Sequence, residues 1–407
     1  MTASQSADSP PEDDDRTGEA EETNRLRTWG SWILRLLVST GSIILVLQFV
    51  PLRDRVQINP VDAVENGAVD KLYGTVTNVD RARKKLHVRT DERTRAIPFD
   101  RIERIDGQLF VPGLIGTWHR IDLTFALPAF LLLPFLHLIG AYRWKRLLAA
   151  QNVRIPYRRS VQITFIGYFW NNFSLGLTGG DVAKAYLIGS RLERKAGGVL
   201  SVLVDRAIGL IALLSLAGVA SLFRPGVRAI RRVGLLVFIL LLLLFVGLYL
   251  FFHPSFRRQK WVVWIRRRLP FQNIIRATDR AARQFKKQPT ALVQAFLLSL
   301  LIHGGAILMC LLFGHALGIT KADLIDYGVY YPIATAVSAL PISASGWGIG
   351  EASYVFLFGL AGVASATALS LSLLVRLTMV LWSLPGGLLM IVPVGKNIRR
   401  TSPLEEG

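Results

Sequence analysis

Charged side chains are scarce, at 19% of 407 residues, against 51% hydrophobic residues and a mean hydropathy of +0.39. Soluble domains average about 25% charged, so a water-soluble globule is excluded. Cysteine is rarer still. The single Cys310 lies in an apolar run, which rules out an intramolecular disulfide and a thiolate metal site. His87, His119, His137, His253, His303 and His315 show no HExxH or other short ligand spacing, so metal-dependent hydrolysis is not expected and no cofactor is implied. No glycine cluster continues into the Gly-Lys-Ser/Thr of a phosphate-binding ATPase loop.

What the chain has in quantity is bilayer-length apolar runs, such as 234–252 and 291–317. It also carries a formal charge of +20. In a polytopic membrane protein that charge belongs to cytoplasmic loops, and nucleic-acid binding is not expected.

The charge is unevenly spread. Residues 1–24 hold eight acids and one arginine and read as a disordered acidic tail, whereas 25–407 hold 47 basic and 20 acidic residues. Residues 25–50 read as an uncleaved membrane anchor with a cytoplasmic N-terminus, since no small-x-small cleavage site precedes Pro51. Residues 51–121 differ in kind. Short β-type runs at 74–79, 85–90 and 95–99, with either a strand or a helical turn at 101–105, predict a small β-rich domain outside the cytoplasm that can serve a protein partner.

Further apolar segments follow at 122–142, 160–178, 199–222, 234–252, 291–318, 327–343, 347–363 and 365–392. The loop 253–290 has eleven Lys or Arg against Asp279 alone and is expected in the cytoplasm, with Arg143, Lys145 and Arg146 and the tail 396–407. A simple count of crossings puts some of these charges on the wrong face. Reading 160–190 and 327–363 as re-entrant broken helices removes the conflict and leaves Arg224, Arg228, Arg231 and Arg232 outside. The fold class is therefore a polytopic α-helical membrane protein of about six full spans, two re-entrant elements and the β-rich insert. The order span, broken element, span occurs twice in opposite senses, as in inverted-repeat transporters.

The candidate site lies in the broken elements. The first contains Asn171, Asn172, Gly179, Gly180, Asp181 and Lys184. An uncovered helix start at Gly180-Asp181 suits an anion, though Asp181 can equally be a plain cap. The second contains Ser343, Gly348 and Glu351, and Glu351 reads either as an intramembrane functional acid or as a local cap. Asp205, Arg206 and Arg376 lie within spans. A guanidinium at that depth needs an acid or a lipid phosphate, and Asp205 can pair with either arginine.

These residues sit in three stretches: "NNFSLGLTGGDVAKAYLI" at 171–188, "SVLVDRAIGL" at 201–210 and "LPISASGWGIGEASYVFLFG" at 340–359. Their order and spacing resemble the flippase-like family named after the transmembrane region of lysylphosphatidylglycerol synthase, over about residues 122–395. The resemblance implies a protein of the bacterial cytoplasmic (inner) membrane that moves or handles lipids with polar headgroups. It marks Asn171, Gly180, Asp181, Asp205, Arg206 and Glu351 as cavity residues. The synthases continue into a soluble aminoacyl-transferase domain, whereas fifteen residues follow the last apolar segment here, so lipid aminoacylation is not expected. The leading expectation is a lipid flippase or transporter with membrane lipids as its partners. A membrane enzyme acting on a polyprenyl-phosphate or phospholipid is the alternative, hinted at only by Asp122 and the Asp91-Glu92 pair.

Overall fold

A computed structural model describes residues 37, 40–45, 47–48, 50–58, 70–80, 82–89, 94–103, 109–173, 179–189, 195–224, 228–252, 259, 284–285, 287–340 and 342–391. The acidic tail, most of the anchor and of the basic loop 253–290, the C-terminal tail, Asp91 and Glu92 lie outside the described residues.

The insert folds as a five-stranded antiparallel sheet. Its strands are β1 (Asp54–Ile58), β2 (Asp70–Asp80), β3 (Lys85–Arg89), β4 (Thr94–Pro98) and β5 (Ile102–Glu103), in the order β4-β3-β2-β1-β5. Alternation drives it: Leu86 and Val88 of β3 point inward between exposed Lys85 and Arg89, and pack with Val56, Val76, Ile97 and Ile102. The region 101–105 resolves into both alternatives, a 3-10 turn at Phe99–Arg101 followed by β5. Strand β1 was not anticipated, because the charged Asp54 occupies a position on its buried face. Asp54 is fully buried and satisfied, accepting from the Val76 amide at 2.7 Å, the Gly113 amide at 2.6 Å and the Arg120 guanidinium at 2.7 and 3.1 Å. Those bonds tie the sheet to the short helix α1 (Leu114–His119) and the start of the bundle.

The bundle contains α2 (Leu123–Ala150), α3 (Tyr157–Phe173), α4 (Gly179–Gly189), α5 (Lys195–Leu222), α6 (Arg228–Phe252), α7 (Pro289–Ala316), α8 (Leu324–Ser338), α9 (Ile349–Gly359) and α10 (Ser365–Ile391). Among the described residues five helices, α2, α5, α6, α7 and α10, are long and apolar enough to cross a bilayer. The protein is a multi-pass helical membrane protein with a small β insert. Leu235, Leu236, Leu242 and Leu243 of α6 face outward, as a lipid-contacting helix requires.

The halves are matched in length: 28, 17, 11 and 28 residues for α2–α5, and 28, 15, 11 and 27 for α7–α10. Packing is reciprocal as well, with α2 on α7, α3 on α10 and α5 on α8. Close approach depends on glycine at some of these crossings. A Cβ on Gly386 would lie 2.0 Å from the Phe165 carbonyl oxygen, so α10 and α3 touch backbone to backbone there.

One boundary differs from expectation. Helix α2 continues to Ala150 rather than ending at 142, because its charges are internally satisfied: Arg143 pairs with Asp205, and Arg146 donates to Gln294 at 2.7 Å. Arg224, which the positive-inside rule would disfavour outside, is held by Asp323 and Asp326 at the start of α8.

Candidate functional site

Each broken element is closed by a carboxylate in the first turn of its second helix and an arginine on the span that follows. In the second half, Gly348 at φ +82° redirects the chain into α9. Glu351 then uses both oxygens: Oε2 accepts the Gly348 amide at 2.5 Å, and Oε1 accepts Arg376 Nε at 2.6 Å. The guanidinium goes on to bind the carbonyls of Ser345 at 3.1 Å and Gly346 at 3.0 Å, and lies 4.4 Å from the Trp347 ring centroid. Arg376 thus satisfies backbone acceptors that the helix break leaves bare. A Cβ on Gly350 would sit 2.8 Å from that guanidinium, so glycine makes room for it.

In the first half Arg206 Nε meets Asp181 Oδ2 at 2.5 Å. At the start of α4 one backbone amide is already taken. Asn171 Oδ1 accepts the Gly180 amide at 2.9 Å, and Gly180 lies so close to α3 that a Cβ would be 1.9 Å from the Gly167 carbonyl. Asn172 donates to the Tyr168 carbonyl one turn back, at 3.1 Å. Arg206 and Arg376 are likewise committed to acids, so neither is a free cation for a phosphate. Asp205 pairs with neither. Arg143 binds it through both oxygens at 2.8 and 3.0 Å and donates to Ser299 at 2.7 Å, joining α2, α5 and α7.

The two pairs occupy equivalent positions. Adding 170 to Gly180, Asp181, Gly189 and Arg206 gives Gly350, Glu351, Gly359 and Arg376. Both acids are third in an 11-residue helix, and both arginines twelfth in the following long one. The two breaks also touch, where Ser345 Oγ donates to the Asn171 carbonyl at 3.3 Å.

Near the first clasp lies a buried cation without a direct ion pair, which Asp181 and Asp205 reach only at longer range. Lys184 on α4 is 7% exposed. Its Nζ stands 5.4 Å from the ring centroids of both Trp144 and Tyr168, and among the described residues no carboxylate comes within ion-pair distance of it. Gly167 lets it through, since a Cβ there would lie 2.8 Å from Lys184 Cε. His137 stacks on Tyr168 with 4.0 Å between centroids. Beside this cation, His137 Nδ1 and Trp144 Nε1 are buried without a hydrogen-bond partner among the described residues, as is Thr164 Oγ1 on α3. Ser343 Oγ, in the second break, is also buried and unpartnered. Buried polar atoms are normally satisfied, so a concentration of orphans beside an unpaired ammonium marks a place that can take a polar ligand.

The family described as the lysylphosphatidylglycerol synthase TM region matches residues 111–386. The chain belongs to that family. No curated protein and no solved structure matches it. The family match takes in every helix carrying an ion pair described above and leaves strands β1–β5 outside.

Sequence reasoning placed Lys184 among the candidates but missed Arg143, His137, Trp144 and Tyr168. Arg143 was hidden by adjoining Lys145 and Arg146, which read together as a loop cluster. The 170-residue offset between the halves was the signal that could have paired each arginine with its acid.

Proposed function

We propose that the protein is a lipid flippase or transporter that moves a lipid with an anionic or polar headgroup between leaflets, with Lys184 as the headgroup's counter-charge. Membership of the lysylphosphatidylglycerol synthase transmembrane-region family supports a membrane protein of the lipid-handling kind. The observation that carries the finer reading is Lys184. A buried ammonium costs several kcal/mol unless something compensates it, and here the surroundings offer two aromatic faces and the unsatisfied nitrogens of His137 and Trp144. An anionic headgroup supplies a direct ion pair and hydrogen bonds while its acyl chains remain in the bilayer.

The equivalence of Asp181–Arg206 with Glu351–Arg376 supports an inverted repeat in which α3–α4 and α8–α9 are re-entrant elements from opposite faces. In that arrangement the two clasps hold the broken helices in shape, and rocking of one half against the other exposes Lys184 to each leaflet in turn. The basic loop 253–290 and both termini lie in the cytoplasm and the insert on the opposite side. Asp122, one hint of the enzyme reading, caps α2 by accepting the Thr124 amide at 2.8 Å.

Reconstitution tests this. Protein in liposomes containing fluorescent phosphatidylglycerol should make the inner-leaflet probe accessible to an impermeant quencher, and Lys184→Met should abolish that exchange while folding normally. Absence of exchange by the unaltered protein, or full exchange by a folded Lys184→Met variant, overturns the proposal.

A further inference from the structure

A second polar site lies far from Lys184, where the insert meets the bundle. At the end where α2 begins, α7 stops and α10 starts, a pocket of about 200 Å³ opens. Its walls are the insert's exit and α1, the turn 317–321 after α7, and the turn 362–364 into α10, with Thr367 on α10's first turn. None of these residues belongs to the ion-pair clusters of the broken helices.

The charges of the pocket differ in what they are already bound to. Arg120 is spent: Asp54 holds it through both oxygens, the Val76 carbonyl accepts from it at 2.8 Å, and it covers the Phe110 ring. Lys321 has no acid partner among the described residues. It lies along the Gly362 backbone, where an added Cβ would be 3.8 Å from its Nζ. Thr367 is 8% exposed, and its hydroxyl makes no hydrogen bond among the described residues. By contrast, Ser370 and Thr378 on the same helix donate to carbonyls four residues back, at 2.8 Å each. Thr367 is also the third residue of α10, where helix amides point outward and the dipole is positive.

An exposed ammonium without an acid partner among the described residues, the hydroxyl of a buried threonine and the positive end of a 27-residue helix thus converge on one pocket. Its volume falls below the roughly 300 Å³ at which pockets begin to suit drug-sized ligands, and matches a single compact polar group. We infer that this pocket binds the phosphate of an anionic ligand, with Lys321 supplying charge and Thr367 a hydrogen bond. The phosphate can come from a lipid headgroup in the adjoining leaflet or from a soluble phosphate ester. This inference goes beyond transport and does not depend on it.

The test is calorimetric binding to the full chain in neutral detergent, carried out in a Lys184→Met background so that the central cation contributes nothing. The probes are glycerol 3-phosphate, dihexanoyl phosphatidylglycerol below its micellar concentration, and dihexanoyl phosphatidylcholine. Binding of both anionic probes, in competition, identifies the phosphate as the recognised group. Binding of phosphatidylglycerol alone assigns the source to the lipid. In either case Lys321→Gln should weaken affinity about tenfold and Thr367→Val about threefold, and added salt should weaken it further. Equal binding of phosphatidylcholine, indifference to both substitutions, or no binding of either anionic probe overturns the inference. Failure here with lipid exchange intact would leave the transport reading standing, and the reverse holds equally.

Discussion

Glu351 and Arg376 show how little an intramembrane charge says about function until its partners are known. The acid caps α9 and binds the guanidinium, and the guanidinium fastens two carbonyls of the break. Removing one member of such a pair leaves the other buried and unpaired, at a cost of about 3–5 kcal/mol. Arg376→Gln should therefore lower the thermal unfolding temperature in detergent sharply, and adding Glu351→Gln should recover part of the loss. The carbonyls of Ser345 and Gly346 would still lack their donor, so recovery should be incomplete. Equal stability of Arg376→Gln and the unaltered protein would contradict this role. Asp205 obeys the same logic through Arg143, and Asp205→Asn should destabilise in the same direction because Arg143 is itself largely shielded, at 12% side-chain exposure.

At the level of elements, helix contacts depend on glycines at particular crossings rather than on glycine content. Gly386 of α10 meets the Phe165 carbonyl, with 2.0 Å available to an added Cβ, whereas Gly304 of α7 has nothing within 4 Å. Gly386→Ala should force the helices apart and reduce the yield of folded protein. Gly304→Ala should be neutral or slightly stabilising, within about 1 kcal/mol, since alanine is the better helix former. Comparable loss from both would mean that α3 and α10 do not approach as described.

The start of α8 offers a pH-dependent contact. Burial alone would raise the Asp323 pKa, but the hydrogen bond from the Asp326 amide and the charge of Arg224 outweigh it and hold the carboxyl below its ordinary value. A depressed pKa stabilises the fold above the ordinary aspartate range, near 3.9, and that contribution is lost as pH falls through the lowered value. Amide protection at Ile325 and Asp326, both bonded to Asp323, should hold at pH 5 and drop on acidification below about 4. Protection unchanged to lower pH would show that the cap does not depend on the carboxylate.

For the whole molecule, charge patterning predicts the orientation, and the proposed alternation of access requires it. In a Cys310→Ser background, a cysteine at Arg83, on an exposed turn of the insert, should react with an impermeant reagent in intact cells, and one at Lys260 should not. The opposite pattern would invert the topology. Because β1–β5 lie outside the family match, deleting the insert should disturb the pocket at Lys321 more than the clasps of the broken helices.

By itself, the sequence determined the features that depend on local composition. Long apolar runs separated by basic loops required a multi-pass helical protein, and alternation over 74–99 required a sheet, because each pattern has one economical way to bury its apolar face. Glycine and proline marked both helix breaks. What only the tertiary structure decided was the pairing of charges. Neighbours such as Asp205 and Arg206 point to different partners because successive helix positions face different directions, and Asp181, Arg143 and Glu351 were assigned by packing between helices distant in sequence. The same packing left Lys184 without a direct ion pair, a property of three-dimensional surroundings that no spacing along the chain encodes.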